Sequence, residues 1–437
     1  MGIDRNNKLE EYINKVCLLI KNKDVHSDIK LELTDHLESI KEEAMNSKLS
    51  EDEAIDKAIA HMGDAEVVGK QLNKAHRAKL DLKTLIPVLS ISLFGLLIMY
   101  FIQTNSVVAE ARNLKVFQQS LVYYLIGTVL MLGLYIFDYR ELLKYSKHIY
   151  IGTIIIIIST ILFGVRINGI SYLNIGFAKI NFTEISPFFL VIAFAGIFES
   201  WSWRTSFKFV LGIVIMFIPL MLISTSSLST AFICIVLCLT IMITSKAKLK
   251  HIIISIAAVT IVPYLYIMIE PYRSKRLFTF LNPYSDPQGS GWLYIQLRKT
   301  LSSAGFLGNG FNLNPKTIPE VHTDFIFTYI VYSFGWLAAI ITIIFIAFFI
   351  IRMMNTAKST RYSYGKLLVI GFTAAFTTQF ILSITTNLGF SPLFGITMPF
   401  MSFGGSHIIT DMMSVGLILS IYRRKNLGPV LPEESLA

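Results

Sequence analysis

The sequence predicts an all-α fold: a polytopic membrane helix bundle of about ten transmembrane helices, preceded by a small cytoplasmic helical domain. Three observations predict it. Of 437 residues, 53% are hydrophobic and 16% charged, and the mean hydropathy is +0.58, well above what a soluble domain of this length needs. After Thr84 come about ten apolar runs, each near the ~20 residues that cross a bilayer. The Lys and Arg residues behind the net charge of +10 collect in short segments between those runs, as orientation signals do, which argues against a nucleic-acid partner.

Cysteine usage adds little: three residues are too few and too scattered for a disulfide framework or a zinc site. Cys234 and Cys238 share one face of an apolar run and read as small packing residues. The stretch Met1 to Glu10 is mostly polar, so no cleavable signal peptide is expected and the first membrane helix should direct insertion itself.

Residues 1–80 read as a charged miniature bundle. Leu9, Tyr12, Ile13, Val16, Leu19 and Ile20 recur at helical spacing among Lys, Glu and Asn, and a second helix follows from Ser27. Ser50 with Glu53 forms a capping box for a third helix, Ala54 to Met62; Gly63 ends it, and Asp64 caps a fourth running to about Leu80. His26, His36, His61 and His76 stand singly, without metal-ligand spacing, and read as surface or packing residues. The segment Leu49-Ser50-Glu51-Asp52-Glu53-Ala54 with Met62-Gly63-Asp64 resembles the prefix domain found ahead of some bacterial membrane permeases. That resemblance implies a regulatory or protein-binding role with an unknown cytoplasmic partner, and a cap that only aids insertion or stability fits as well.

The transmembrane part spans 84–425, with apolar runs at 84–102, 117–137, 149–165, 183–199, 207–224, 228–245, 252–269, 325–351, 366–387 and 400–422. Arg140, Lys144 and Lys147, then Arg204 and Lys208, Lys246 to Lys250, Arg352 to Lys366, and Arg423 to Lys425 all fall on one side of that count. Under the positive-inside rule that side is cytoplasmic, both termini are inside, and the long polar loop 270–324 is outside. The loop ends in Pro319-Glu320-Val321-His322-Thr323-Asp324, which sets an acid, an imidazole and a hydroxyl at the mouth of the next apolar helix. Further on, Asn387-Leu388-Gly389, Pro392 to Ile396 and Met398 to Ser406 break the helical pattern near membrane depth. Such backbone is tolerated where it is buried in protein or lines a cavity, and the small residues also suit close helix packing.

These residues resemble the SEDS family, the shape, elongation, division and sporulation proteins. The resemblance covers nearly everything after residue 80. It rests on Glu270-Pro271-Tyr272-Arg273 through Arg276, Phe280 to Pro283, Asp286-Pro287, Gly289 to Gly291, Gln296, Gly305, Gly308, Gly310, His322 to Phe327, and Pro392 through Ser402-Phe403-Gly404-Gly405-Ser406. It implies polymerisation of peptidoglycan from lipid II at the outer face of the bacterial cytoplasmic membrane, with a class B penicillin-binding protein as partner. The chain also departs from the pattern. Ser171-Tyr172 stand for a usual Arg-Trp, Asn181-Phe182-Thr183-Glu184 keep only the Glu of Gln-Pro-Ser-Glu, and Pro187 occupies the position of a usual Lys. Ser226 to Thr230 replace Pro-Asp-Leu-Gly-Thr, and Tyr332-Ser333 replace two acids, so the chain reads as a divergent member.

Such a reaction needs a base for a sugar hydroxyl and positive charge for a departing pyrophosphate. The resemblance makes Asp324 the catalytic residue; its place at a membrane entrance also favours desolvation and a raised pKa, while the plainer reading is an N-cap of the helix that follows. Arg273 and Arg276 offer forked donors, helped by Lys275, Arg298 and Lys299, or else meet anionic lipid heads. Gln296, His322, Thr323, Glu184, Ser402, Gly404, Gly405 and Ser406 complete the expected substrate-binding set, with Glu184 facing a cavity rather than lipid. A divalent cation, magnesium or manganese, could bridge pyrophosphate to protein, but no ligand cluster has recognisable spacing and no metal site is named. Two other functions fit parts of the pattern. A lipid-precursor transporter would use the broken helices, and a catalytically silent scaffold would recruit the penicillin-binding protein.

Overall fold

The computed structural model describes residues 5–47, 49–75, 80–105, 115–167, 170–175, 178–269, 271–311 and 318–426. They fall into two compact units, Met1–Leu80 with Tyr422–Ala437, and Asp81–Ile421.

In the first unit, α1 (Arg5–Leu18), α2 (His26–Asn46), α3 (Glu51–Met62) and α4 (Ala65–Ala75) form a small helical bundle. Leu9, Ile13 and Val16 of α1 pack with Ile29, Leu33 and Leu37 of α2 and with Ile55 and Ala58 of α3, so the helical period of the sequence becomes one buried stripe per helix. Both bonds of the Ser50–Glu53 capping box are made. Gly63, at φ 88°, ends α3, and Asp64 Oδ1 then accepts the Glu66 N–H at 3.2 Å to start α4. The expected extension of α4 towards Leu80 crosses 76–79, which lie outside the described residues.

The second unit contains α5 (Leu82–Asn105), α6 (Val116–Ile136), α7 (Leu142–Phe163), α8 (Phe182–Phe198), α9 (Ser206–Ser226), α10 (Leu228–Thr244), α11 (Leu249–Ile269), α12 (Pro271–Leu281), α13 (Trp292–Ser303), α14 (Ile326–Ser359), α15 (Ser363–Asn387) and α16 (Gly405–Arg423). Every expected apolar run has its helix. Among the described residues, seven helices are long and apolar enough to cross a membrane: α5, α6, α7, α9, α14, α15 and α16. The helices α8 and α10 are shorter, at 17 residues each, and α11 is apolar over Leu249–Ala258. The chain is a multi-pass membrane protein. Many hydroxyls inside its helices bond back to their own backbone, as Thr153 does to Ile149 O and Ser224 to Leu220 O, both at 2.7 Å, which removes the cost of a free polar group in hydrocarbon.

Two features depart from expectation. The loop 270–324 is not simply extended polar chain: α12 and α13 lie in it, and Tyr294, Leu297 and Leu301 form a buried stripe on α13 that the surrounding charges hid. Between α7 and α8, a three-stranded antiparallel meander runs through β1 (Val165–Ile167), β2 (Ile170–Ile175) and β3 (Ala178–Ile180), with Arg166 paired to Ser171 and Asn174 to Lys179. Strands of three to six residues leave too little alternation to read in advance.

The helix α14 is broken at Gly335, which holds φ 85° and ψ 173°. The backbone groups released there are taken by the glycine-rich turn after α13: Asn309 N–H donates to Tyr332 O at 2.8 Å and Gly310 N–H to Ser333 O at 3.2 Å, while Trp336 N–H reaches Gly305 O at 3.3 Å. A broken helix at this depth is sustained because another segment satisfies it.

Candidate active site

Asp324 lies in the tight turn that leads into α14. Glu320 begins that turn at φ 51°, its carbonyl accepting the N–H groups of Thr323 and Phe325 at 3.2 Å each, and Thr323 Oγ1 donates to Glu320 Oε2 at 3.0 Å. If Asp324 were the cap of α14, its carboxylate would take a free N–H of the first turn. That place is filled from another helix. Asn387, at the end of α15, accepts both the N–H and the hydroxyl of Thr328 on Oδ1, at 3.0 and 2.8 Å. Its Nδ2 donates to Asp324 O at 2.9 Å and to Ser383 O at 2.8 Å. The Thr328 N–H is therefore satisfied without the Asp324 side chain, and among the described residues none donates a hydrogen bond to its carboxylate.

The irregular segment 388–404 braces the other side of the turn. Phe403 N–H donates to His322 O at 2.7 Å and Ser402 Oγ to Thr323 O at 2.6 Å, while Met398 N–H holds Ser402 Oγ at 2.8 Å. Leu393 N–H donates to Tyr294 Oη at 3.0 Å, which ties the same segment to α13. Gly395 stands at φ 60°, and a Cβ there would lie 3.2 Å from Asp324 Oδ2. A side chain at 395 would thus crowd the carboxylate as well as strain the backbone.

Burial is the first cause that pushes the Asp324 carboxyl up to about 7, and the negative charges of Glu320 and Glu184 add to it, against the opposing pull of Arg276 and His407. A carboxyl poised near neutrality, unbonded and backed by a rigid turn is suited to accept a proton. Asp286 shows the contrary case: hydrogen bonds from Ser290 hold its exposed carboxyl below the usual range, and it serves to fold the turn before α13.

Glu184 is on the first turn of α8, where Asn181 Oδ1 accepts its N–H at 3.4 Å. Its Oε2 lies 2.6 Å from Nε2 of His407 on α16. A cavity of about 30 Å³, room for about one or two waters, opens beside the pair and is lined by Glu184, Pro187, Gln379, His407, Asp411 and Ser414 among others. Asp411 Oδ2 accepts the Phe400 N–H at 3.3 Å.

The expected residues therefore separate into groups. His322, Thr323, Asp324 and Ser402 meet in one hydrogen-bonded frame, in which His322 and Thr323 contribute backbone carbonyls. The half-buried Arg276 is on α12, and its charge reaches Asp324. The Arg273 side chain lies outside the described residues, and Gln296 is half-buried on α13. Gly404, Gly405 and Ser406 open α16, with Gly404 O accepting the Ile408 N–H at 3.0 Å and Ser406 O the Thr410 hydroxyl at 2.9 Å, so their backbone starts a helix. Asn387, His407 and Asp411 were not read from sequence as site residues. Polar His407, Asp411 and Ser414, spaced four and three residues apart in an apolar helix, were the available signal. Among the described residues no group of three or more His, Cys, Asp or Glu is placed to hold a metal ion.

Residues 82–427 match the model of the FtsW/RodA/SpoVE cell cycle protein family. The chain is 25% identical over 373 residues to the "Probable peptidoglycan glycosyltransferase FtsW" of Trichlorobacter lovleyi, a match that covers 82% of this chain and 97% of that one. It is 25% identical over 427 residues to the peptidoglycan glycosyltransferase RodA of Treponema pallidum, covering 79% and 98%. Its fold resembles a chain of a peptidoglycan synthase complex that coordinates polymerization and crosslinking, with a TM-score of 0.67 at 19% identity over 79% of this chain and 98% of that one.

Proposed function

Because the chain belongs to the FtsW/RodA/SpoVE cell cycle protein family, we propose that it is a peptidoglycan glycosyltransferase that polymerises lipid II at the outer face of the cytoplasmic membrane. The observation that carries this reading is that Asn387, not Asp324, accepts the Thr328 N–H in the first turn of α14, while the Asp324 carboxyl, pushed up to about 7 by burial, stays unbonded among the described residues at the helix mouth.

In the reaction, the Asp324 carboxylate takes the proton of an acceptor sugar hydroxyl as its oxygen attacks the anomeric carbon of the donor. The bond from that carbon to the lipid pyrophosphate breaks, and the departing oxygen keeps the electron pair. Arg276, whose field reaches Asp324, would stabilise that charge. A base of this kind contributes ~100- to 10,000-fold in rate. His322 and Thr323 act through their backbone, holding Asp324 against the 388–404 segment.

The partner that fits is a class B penicillin-binding protein, which would crosslink the new strand. The basic segments between helices support an orientation with both termini in the cytoplasm, where residues 1–80 would meet a regulatory partner. The test is polymerisation of labelled lipid II by the purified full chain, alone and with candidate class B penicillin-binding proteins whose own activity is crosslinking. Glycan chains are expected. Their absence in every combination would overturn the reading in favour of a silent scaffold.

A further inference from the structure

We propose that His407 is a positioning residue for this reaction: reaching from α16 to Glu184 on α8, it supplies the cation that fixes the Glu184 carboxylate inside the bundle. The catalytic part of this inference rests on the glycosyltransferase reading; the pairing itself does not.

Three observations carry it. The 2.6 Å separation of His407 Nε2 and Glu184 Oε2 lies at the short end for a charge-assisted bond, and the two side chains are only 18% and 24% exposed. A carboxylate enclosed to that degree in a membrane bundle needs a partner, because its desolvation is otherwise uncompensated. Next, α8 offers none of its own: it carries no Lys or Arg, and Pro187, one turn beyond Glu184, lines the same cavity without a charge. The partner is instead delivered by His407 of α16. Finally, Asp411, one turn beyond His407 on the same helix, lines the same cavity, so carboxylates of both α8 and α16 stand near the imidazole.

The link to chemistry is electrostatic. Glu184 pushes the Asp324 carboxyl up and His407 pulls it down, so losing the pair alters the charge that the base feels and frees the Glu184 side chain to move. Misplacement of this kind costs ~10- to 100-fold in turnover.

The experiment compares lipid II turnover by the wild type, His407→Ala, Glu184→Gln, their double variant, and His407→Ala with Pro187→Lys, each at matched melting temperature. The expected result is a ~10- to 100-fold loss for each single change, no further loss in the double variant, and recovery when Lys at 187 restores a cation to Glu184 from its own helix. His407→Ala within about twofold of wild type, or a double loss equal to the product of the single losses, would overturn the proposal. An inactive wild type would instead overturn the proposed function, and the pairing is then decided separately by imidazole nitrogen NMR. A resonance that disappears in His407→Gln and shifts in Glu184→Gln supports the pair; one that ignores Glu184→Gln rejects it. The NMR reading also holds if Pro187→Lys fails to fold.

Discussion

Asn387 and Asp324 are joined through the backbone: the Asn387 amide donates to the Asp324 carbonyl at 2.9 Å while its oxygen accepts the Thr328 N–H in the first turn of α14. A residue 63 positions away thereby separates the structural task from the chemical one.

Replacing Asn387 by Ala leaves the buried Thr328 N–H without an acceptor, which costs about 1–3 kcal/mol. A lower melting temperature and reduced turnover should appear together. Asn387→Asp keeps the acceptor for Thr328 and loses the donation to Asp324, so it should fall between wild type and Asn387→Ala. A melt of Asn387→Ala equal to wild type would contradict the capping role.

Gly395→Ala places a Cβ 3.2 Å from Asp324 Oδ2 and a side chain at φ 60°. The backbone strain is about 1–2 kcal/mol, but the carboxylate must also move by a few tenths of an ångström. Turnover should therefore drop by more than the melting shift explains. Unchanged turnover in a folded Gly395→Ala protein would show that the approach of the two residues has no bearing on the reaction.

Because a base must be unprotonated to act, and burial with Glu320 and Glu184 raises the Asp324 carboxyl to about 7, turnover should climb with pH below that value and level off above it. Glu320→Gln removes one of the negative neighbours and should move the acid limb to lower pH; Arg276→Gln removes a positive one and should move it higher. The measurement is kcat against pH, and limbs that coincide in all three proteins would count against Asp324 as the titrating group.

The helix count was legible because each span is a long apolar run, a property that needs only neighbouring residues. The same holds for the Ser50–Glu53 box, whose two bonds lie within four residues. Asp324 was found through its motif, whereas Asn387 was seen only as part of a helix-breaking stretch and His407 not at all. Their roles are made by contacts across 59 to 223 positions, and no local period encodes these. The helices α12 and α13 were hidden for another reason: their polar faces dominate the composition of the loop, and the apolar stripe of Tyr294, Leu297 and Leu301 is only three residues wide.

Residues 1–80 carry their own core and caps, so that fragment should show helical circular dichroism and a cooperative melt. Ser50→Ala removes the cap that holds the Glu53 N–H and should lower the stability of the fragment by about 1 kcal/mol. A non-cooperative melt of the unmodified fragment would contradict its independence.

The most direct test is lipid II turnover by wild type and Asp324→Asn, purified side by side. The amide keeps the size of the carboxylate, and the Thr328 N–H of the first turn is held by Asn387, so the two proteins should match to within about 1 kcal/mol of stability. The amide cannot take the acceptor proton, and turnover should fall ~100- to 10,000-fold. Equal turnover by the two proteins would remove Asp324 from the mechanism.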